Sequence, residues 1–204
     1  MEEEEHFFYL PYRENNPLRQ NLDVMHIEKN ICDNLLGTLL NLEGKSKDNL
    51  KARQDLQLMK IRPELHPILL PNGKYEIPNA PYTLSSDEKT RLLSVLKHIR
   101  VPDGYASNIS RCVNLRECKL FNLKSHDCHI LMQDLLPIAL REAKDYDVID
   151  LICALSAFFK ELCAKELSVE KLDDIGANVV ITLCKMEKMF PPGFLQSWCT
   201  CLFI

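Results

Sequence analysis

Glycine is scarce, with six in 204 residues. None stands in a GxGxxG pattern, or in a GK[ST] pattern with the upstream glycine that a phosphate loop requires. The sequence therefore lacks the bare-backbone turns that hold nucleotide phosphates. Long apolar runs are lacking too. Nothing approaches the roughly 18 consecutive apolar residues that read as a membrane span. A basic excess is missing, since the formal net charge is -4, and no global signal points to a nucleic-acid backbone. The first residues, Met1-Glu2-Glu3-Glu4-Glu5, are acidic. A signal peptide opens basic and then turns apolar, and a transit peptide is rich in Arg, so neither is read here. Without a secretory signal, nine cysteines point to reduced thiols in an intracellular protein.

What is present suits a packed protein. The chain is 46% hydrophobic and 26% charged, enough to bury a core in one domain or two small ones. Charge is uneven along it. Lys45, Lys47, Lys51, Arg53, Lys60 and Arg62 face only Asp48 and Asp55, whereas 134–174 holds ten acids against five bases. Either a basic front half meets phosphate, or both stretches are solvated helix faces.

Periodicity predicts a mainly α fold, a helical bundle-like unit. Residues 1–21 read as an irregular arm broken by Pro11 and Pro17. Over 22–42, Val24, Ile27, Ile31, Leu35, Leu36, Leu39, Leu40 and Leu42 recur at helical spacing. Gly44 fits just past that helix. Ser46 is the expected cap of a second helix over 47–60, with Leu50, Leu56 and Leu58 inward. Five prolines crowd 63–84, and Asn72-Gly73 between short apolar runs predicts a small edge hairpin. Ser85 and Glu88 have the spacing of a capping box that opens a helix to about Ile99. Residues 101–123 show no clear period. Ser125 is the expected cap of a helix over 126–142 that Pro137 kinks. Asp145 starts another over 146–165, apolar on most of its surface and therefore expected in the centre. Ser168 caps the last, with the stripe Leu172, Ile175, Val179, Leu183, Met186 and Phe190, ended by Pro191-Pro192.

Several ordered blocks point to one family. They run from Leu22-Asp23-Val24-Met25-His26-Ile27-Glu28-Lys29-Asn30, through Gly37-Thr38-Leu39-Leu40, to Gly44-Lys45-Ser46-Lys47-Asp48-Asn49-Leu50-Lys51-Ala52-Arg53. Weaker echoes stand at Gly73-Lys74-Tyr75, Pro81-Tyr82-Thr83-Leu84 and Asn108-Ile109-Ser110-Arg111-Cys112-Val113-Asn114. Two more are Leu123-Lys124-Ser125-His126-Asp127-Cys128-His129 and the run from Leu183 to Pro192. Together they resemble a plant CACTA-type (En/Spm) transposase. Residues 1–62 correspond to the end of its transposase domain, and 63–194 to the uncharacterised domain that follows. Residues 195–204 depart from the family pattern. With suitable codons they read Ser-Ile-Met-Val-His-Leu in another frame, so they are expected to be an out-of-frame tail.

The resemblance implies an RNase H-like core in which three acids hold divalent metal for two-cation hydrolysis. At most the last acid falls within this chain, with Asp23 and Glu28 as candidates. One carboxylate cannot build a two-metal site, so no enzyme is expected of the chain alone. Metal would enter only by assembly with a complete catalytic domain. Otherwise Asp23 is a helix cap, Glu28 is solvated or ion-paired, and His26 lies on the helix surface. Expected partners are DNA or another transposase chain, with no membrane and no small-molecule substrate. A nuclear location follows from the resemblance. Candidate DNA contacts are Lys45, Lys47, Lys51, Arg53, Arg111, Arg116, Lys119 and Lys124.

One constellation has metal chemistry. Cys112, Cys118, His126 and His129 offer the ligand types of a Cys₂His₂ zinc site. Cys112 and Cys118 are wider apart than in standard modules, while His126 and His129 share a helix face. The competing reading is an apolar thiol surface beside a helix start. A nucleophile pair of Cys128 with a histidine lacks an orienting third group.

Overall fold

The computed structural model describes residues 23–101 and 108–197. The arm expected over 1–21 lies outside that range, as do Trp198, Cys199 and Cys201 of the tail. The described part is mainly α, with six helical rods and two small antiparallel hairpins.

Helix α1 (Val24–Leu39) starts where Asp23 Oδ1 accepts from the Met25 and His26 amides. These are two of the donors that a helix start leaves unpaired. It ends in a Schellman turn: Asn41 donates to Thr38 O, and Leu42 donates to Gly37 O at 2.8 Å. The left-handed residue there is Asn41, φ 49. Gly44, φ 73, serves the next turn rather than the cap. Gly37 is needed for another reason. A Cβ on it would lie 2.7 Å from Lys45 O, so the returning chain packs directly on the helix backbone.

Helix α2 (Leu50–Leu58) is capped by Asn49, whose side chain accepts from Ala52 N. Ser46, the expected cap, instead accepts from Asp48 N. The inner face of α2 is Ala52, Arg53 and Leu56, while Leu58 is 80% exposed. An arginine displaces the leucine from the face because its charge is matched inside. Arg53 bonds Asp48 through Nε and through Nη2 at 2.7 Å, and also donates to the Leu65 and Pro78 carbonyls.

Strands β1 (Ile68–Leu69) and β2 (Tyr75–Glu76) pair antiparallel, Ile68 opposite Glu76. This is the hairpin expected at Asn72-Gly73, with Gly73 at φ 77 and all four strand residues exposed. Helix α3 (Ser86–His98) opens with the capping box of Ser85 and Glu88. The aperiodic stretch after it holds a second hairpin, β3 (Val113–Asn114) with β4 (Lys119–Leu120). Its turn needs Cys118 at φ 48, without an Asn-Gly pair to announce it.

The fourth rod, α4, is composite: Ser125–Ile130, a π turn over Leu131–Leu135, and Leu136–Ala139. Lys124, not Ser125, is its N-cap, and Asp127 Oδ2 accepts from Lys124 N at 3.0 Å. Pro137 has no N–H for the carbonyl one turn back. Leu136 N reaches Leu131 O, one residue beyond the α pattern, and the rod continues. Ser156 Oγ donates to the Gln133 carbonyl at 2.6 Å, supplying a donor that Pro137 cannot.

Helix α5 (Tyr146–Leu162) buries Val148, Leu151, Ile152, Leu155 and Phe159. Its apolar composition predicts burial all round, but Cys153 and Ala157 face outward, so it flanks the core. Helix α6 (Val169–Met189) seats Ile175, Leu183 and Met186, while Leu172 at its start is 48% exposed.

One hydrophobic cluster takes residues from Ile31 to Phe194, crossing the boundary drawn at 62/63. Tyr82, Phe190 and Phe194 pack in series, Tyr82 tilted on Phe190 and Phe190 stacked on Phe194, with ring centroids 4.9 and 4.1 Å apart. Arg62, held at φ 50, donates from Nη1 to the Met189 and Phe190 carbonyls at 2.8 and 2.9 Å. These are acceptors that the end of α6 leaves open. Burial dominates the energetics. Each fully buried Leu contributes about 1.5–3 kcal/mol, against a few tenths of a kcal/mol (about 0.3–0.5) for a surface pair such as Lys29–Asp33 on α1.

Candidate functional site

A buried polar cluster joins three rods where α1, α4 and the end of α5 meet. Glu28 shares the inward face of α1 with Ile31, Cys32 and Leu35, at steps of three, four and seven. It is fully buried. His129 and Gln133, one turn apart on α4, close over it. His129 Nδ1 lies 2.6 Å from Glu28 Oε2, and Gln133 Nε2 lies 3.2 Å from Glu28 Oε1. Gln133 Nε2 also lies 3.2 Å from Phe159 O and 3.1 Å from His129 Nδ1.

Hydrogen bookkeeping assigns the roles. Gln133 Nε2 carries two hydrogens, and the carboxylate and the Phe159 carbonyl are pure acceptors. Gln133 donates to those two, and His129 Nδ1–H donates to Glu28 Oε2. This tautomer gives each Glu28 oxygen a donor and is assigned on that ground. Burial pushes the Glu28 carboxyl above its ordinary value, and the bonds from His129 and Gln133 pull it part of the way back.

Cys163, the residue that ends α5, completes the cluster. Its Sγ, a Glu28 oxygen and a His129 ring nitrogen all lie within 4.8 Å of one another. Burial raises the Cys163 thiol, the Glu28 charge raises it further, and the neighbouring Gln133 side chain lowers it. A thiol pair, Cys32 and Cys128, is fully buried between α1 and α4. Its hydrogen bond and burial push Cys32 well up, the state of an inert structural thiol.

The other sequence candidates are dispersed. Asp23 is an exposed helix cap, and His26 is exposed on α1. Glu28 is not solvated; its oxygens are held by His129 and Gln133. Cys112 Sγ points to Asn122 O at 3.9 Å, and Cys118 Sγ to Leu115 O at 3.6 Å. His126 stacks beside His129 with ring centroids 6.3 Å apart. Among the described residues, Cys112, Cys118, His126 and His129 do not converge on a point. The convergent set is Glu28, His129 and Cys163.

Of the basic candidates, Arg53 is 1% exposed and committed inward. Lys45, Lys51, Arg111, Arg116, Lys119 and Lys124 are exposed, and Lys47 is half-buried. Lys119 pairs with Glu117. Gln133 and Cys163 do not stand out in the sequence. The signal for the cluster is an acid, Glu28, standing on an apolar helix stripe.

The described residues form a mainly α packing unit with a polar cluster where three helical rods meet. A family model for a domain of unknown function (DUF4218) matches residues 162–201. That domain is found in plant transposase-related proteins. The matched segment begins at the end of α5 and takes in α6 and the Phe190–Phe194 stack. No curated protein and no solved structure matches the chain at a significant level.

Proposed function

We propose that this chain acts as a non-catalytic accessory or interaction domain of a CACTA-type (En/Spm) transposition system, working in the nucleus. The carrying observation is the orientation of Glu28. As the last acid of a two-metal site it would have to face solvent and a phosphate. Both of its oxygens are instead held by Gln133 and His129 inside the helix packing. Asp23 has its side chain on the α1 amides. The test is nicking of a transposon-end DNA with magnesium or manganese, first alone and then mixed with a complete transposase. No nicking by the chain alone is expected, and no loss of partner nicking when Glu28→Gln replaces the wild type. Metal-dependent nicking that needs Glu28 would overturn the reading.

A second reading, docking of DNA, is favoured by one feature. Arg111, Arg116 and Lys124 are exposed on or beside the β3–β4 hairpin. Removing one side chain that binds a phosphate should lower the salt slope of binding by about one. Arg116→Ala with Lys124→Ala is therefore expected to flatten the salt dependence, whereas Arg53 variants change stability first. Absence of salt-sensitive binding at low ionic strength removes this reading.

A further inference from the structure

We propose that Glu28, His129 and Cys163 form a three-ligand site for a divalent transition metal of the zinc class, with Gln133 as its positioning residue. Zinc takes thiolate sulfur, imidazole nitrogen and carboxylate oxygen together in a tetrahedron, and these are the three side-chain types that converge here. They come from three separate rods: α1, α4 and the end of α5. Bonds of about 2.0–2.3 Å place ligand atoms some 3–4 Å apart. The present spread, within 4.8 Å, therefore needs only side-chain adjustment. The 2.6 Å contact between Glu28 and His129 opens as the metal replaces the shared hydrogen.

Charge favours the exchange. A dication with one thiolate, one carboxylate and a neutral imidazole sums to zero, so the centre is neutral where burial penalises net charge. Binding forms a metal–sulfur bond and breaks the Cys163 S–H bond. The His129 proton moves from Nδ1 to Nε2, which keeps the imidazole neutral and presents the Nδ1 lone pair to the metal, and the Cys163 proton passes to solvent. The fourth position is open to water, because Cys163 and the partly exposed His129 form the outer side of the cluster. The π turn over Leu131–Leu135 carries Gln133, and such turns recur where a helix is bent to function. Gln133 donates to Glu28 Oε1 at 3.2 Å, as an outer-shell residue orients a metal ligand.

The test uses the whole chain, freed of metal and titrated with Co²⁺, then Zn²⁺. One equivalent of cobalt is expected to bind with a sulfur-to-cobalt charge-transfer band, and zinc is expected to displace it. Cys163→Ser should abolish the band, whereas Cys112→Ser and Cys118→Ser should leave it. Gln133→Ala should weaken affinity about 10–100-fold. A readout without any variant guards against misfolding. Zinc should slow alkylation of Cys163, read by mass spectrometry, without slowing that of the exposed Cys153 and Cys184. The proposal is overturned if no equivalent of cobalt binds, if the band survives Cys163→Ser, or if zinc leaves Cys163 alkylation unchanged.

Discussion

Two glutamates are withdrawn from water in this molecule, and they are handled in opposite ways. Glu88, at the start of α3, accepts from Ser85 N at 2.9 Å, from Ser85 Oγ at 2.5 Å and from Lys144 N at 2.8 Å. Burial raises its carboxyl, but these donors outweigh burial and leave it below its ordinary value. Glu28 is buried more deeply, has fewer donors, and ends above its ordinary value. The difference lies in the supply of N–H and O–H groups. A helix start brings its own donors; a helix middle has none to give, and a carboxylate there depends on side chains from elsewhere.

The sign of each pH effect follows. Glu88 is depressed in the folded state, so its contribution is full above the ordinary carboxylate value and is lost as pH falls through the lowered one. Glu28 is raised. The folded state holds its proton more tightly, so stability declines as pH rises from the ordinary value through the raised one.

The sharpest way to break the contrast is to take away the distant donor. His129→Ala leaves the Glu28 carboxylate with Gln133 alone, and about 2–3 kcal/mol of stability should go at neutral pH. Urea unfolding should recover part of the loss in mild acid, where Glu28 takes up a proton. A loss independent of pH would mean that packing, not charge, sets the cost. Next, Glu88→Ala should cost about 1–2 kcal/mol at neutral pH. Its penalty must shrink in acid; if it grows, the assignment of opposite signs is wrong. Arg62→Ala removes a cation from the end of α6 and should cost about 1–1.5 kcal/mol by thermal melting. The smallest effect belongs to Lys29→Ala. Its partner Asp33 is one turn away at the surface, so about 0.3–0.5 kcal/mol is expected, falling further with added salt.

The same contrast explains what is legible in the sequence. The Ser85–Glu88 box spans three residues, and both members are visible as a spacing. So are the caps Asp23, Asp145 and Ser168 and the Asn72-Gly73 hairpin, each a local device. Glu28 meets His129 across 101 positions, and no periodicity encodes that meeting. His129 does stand out as a metal-ligand type, but beside its sequence neighbours Cys112, Cys118 and His126 rather than beside Glu28 and Cys163. Arg53 reads as a surface charge because its partners, Asp48 and the carbonyls of Leu65 and Pro78, come together only after folding. Leu58 reads as inward for the same reason. The β3–β4 turn is silent in the sequence because Cys118, not glycine or asparagine, takes the left-handed conformation there.

The grip of Arg62 on the Met189 and Phe190 carbonyls spans 127 and 128 positions, and it sets an order of events. The front of the unit cannot be fixed until the last helix has been made and has come back to meet it. Non-local closure of this kind slows folding, because chain entropy is lost before the contact repays it. During synthesis, the segment from α2 through the first hairpin must wait for nearly the whole chain to emerge. A product cut before Phe190 would leave Tyr82 without its ring partner and Arg62 without its acceptors. Such a transcript would keep the opening helices and lose the clasp that makes them one body.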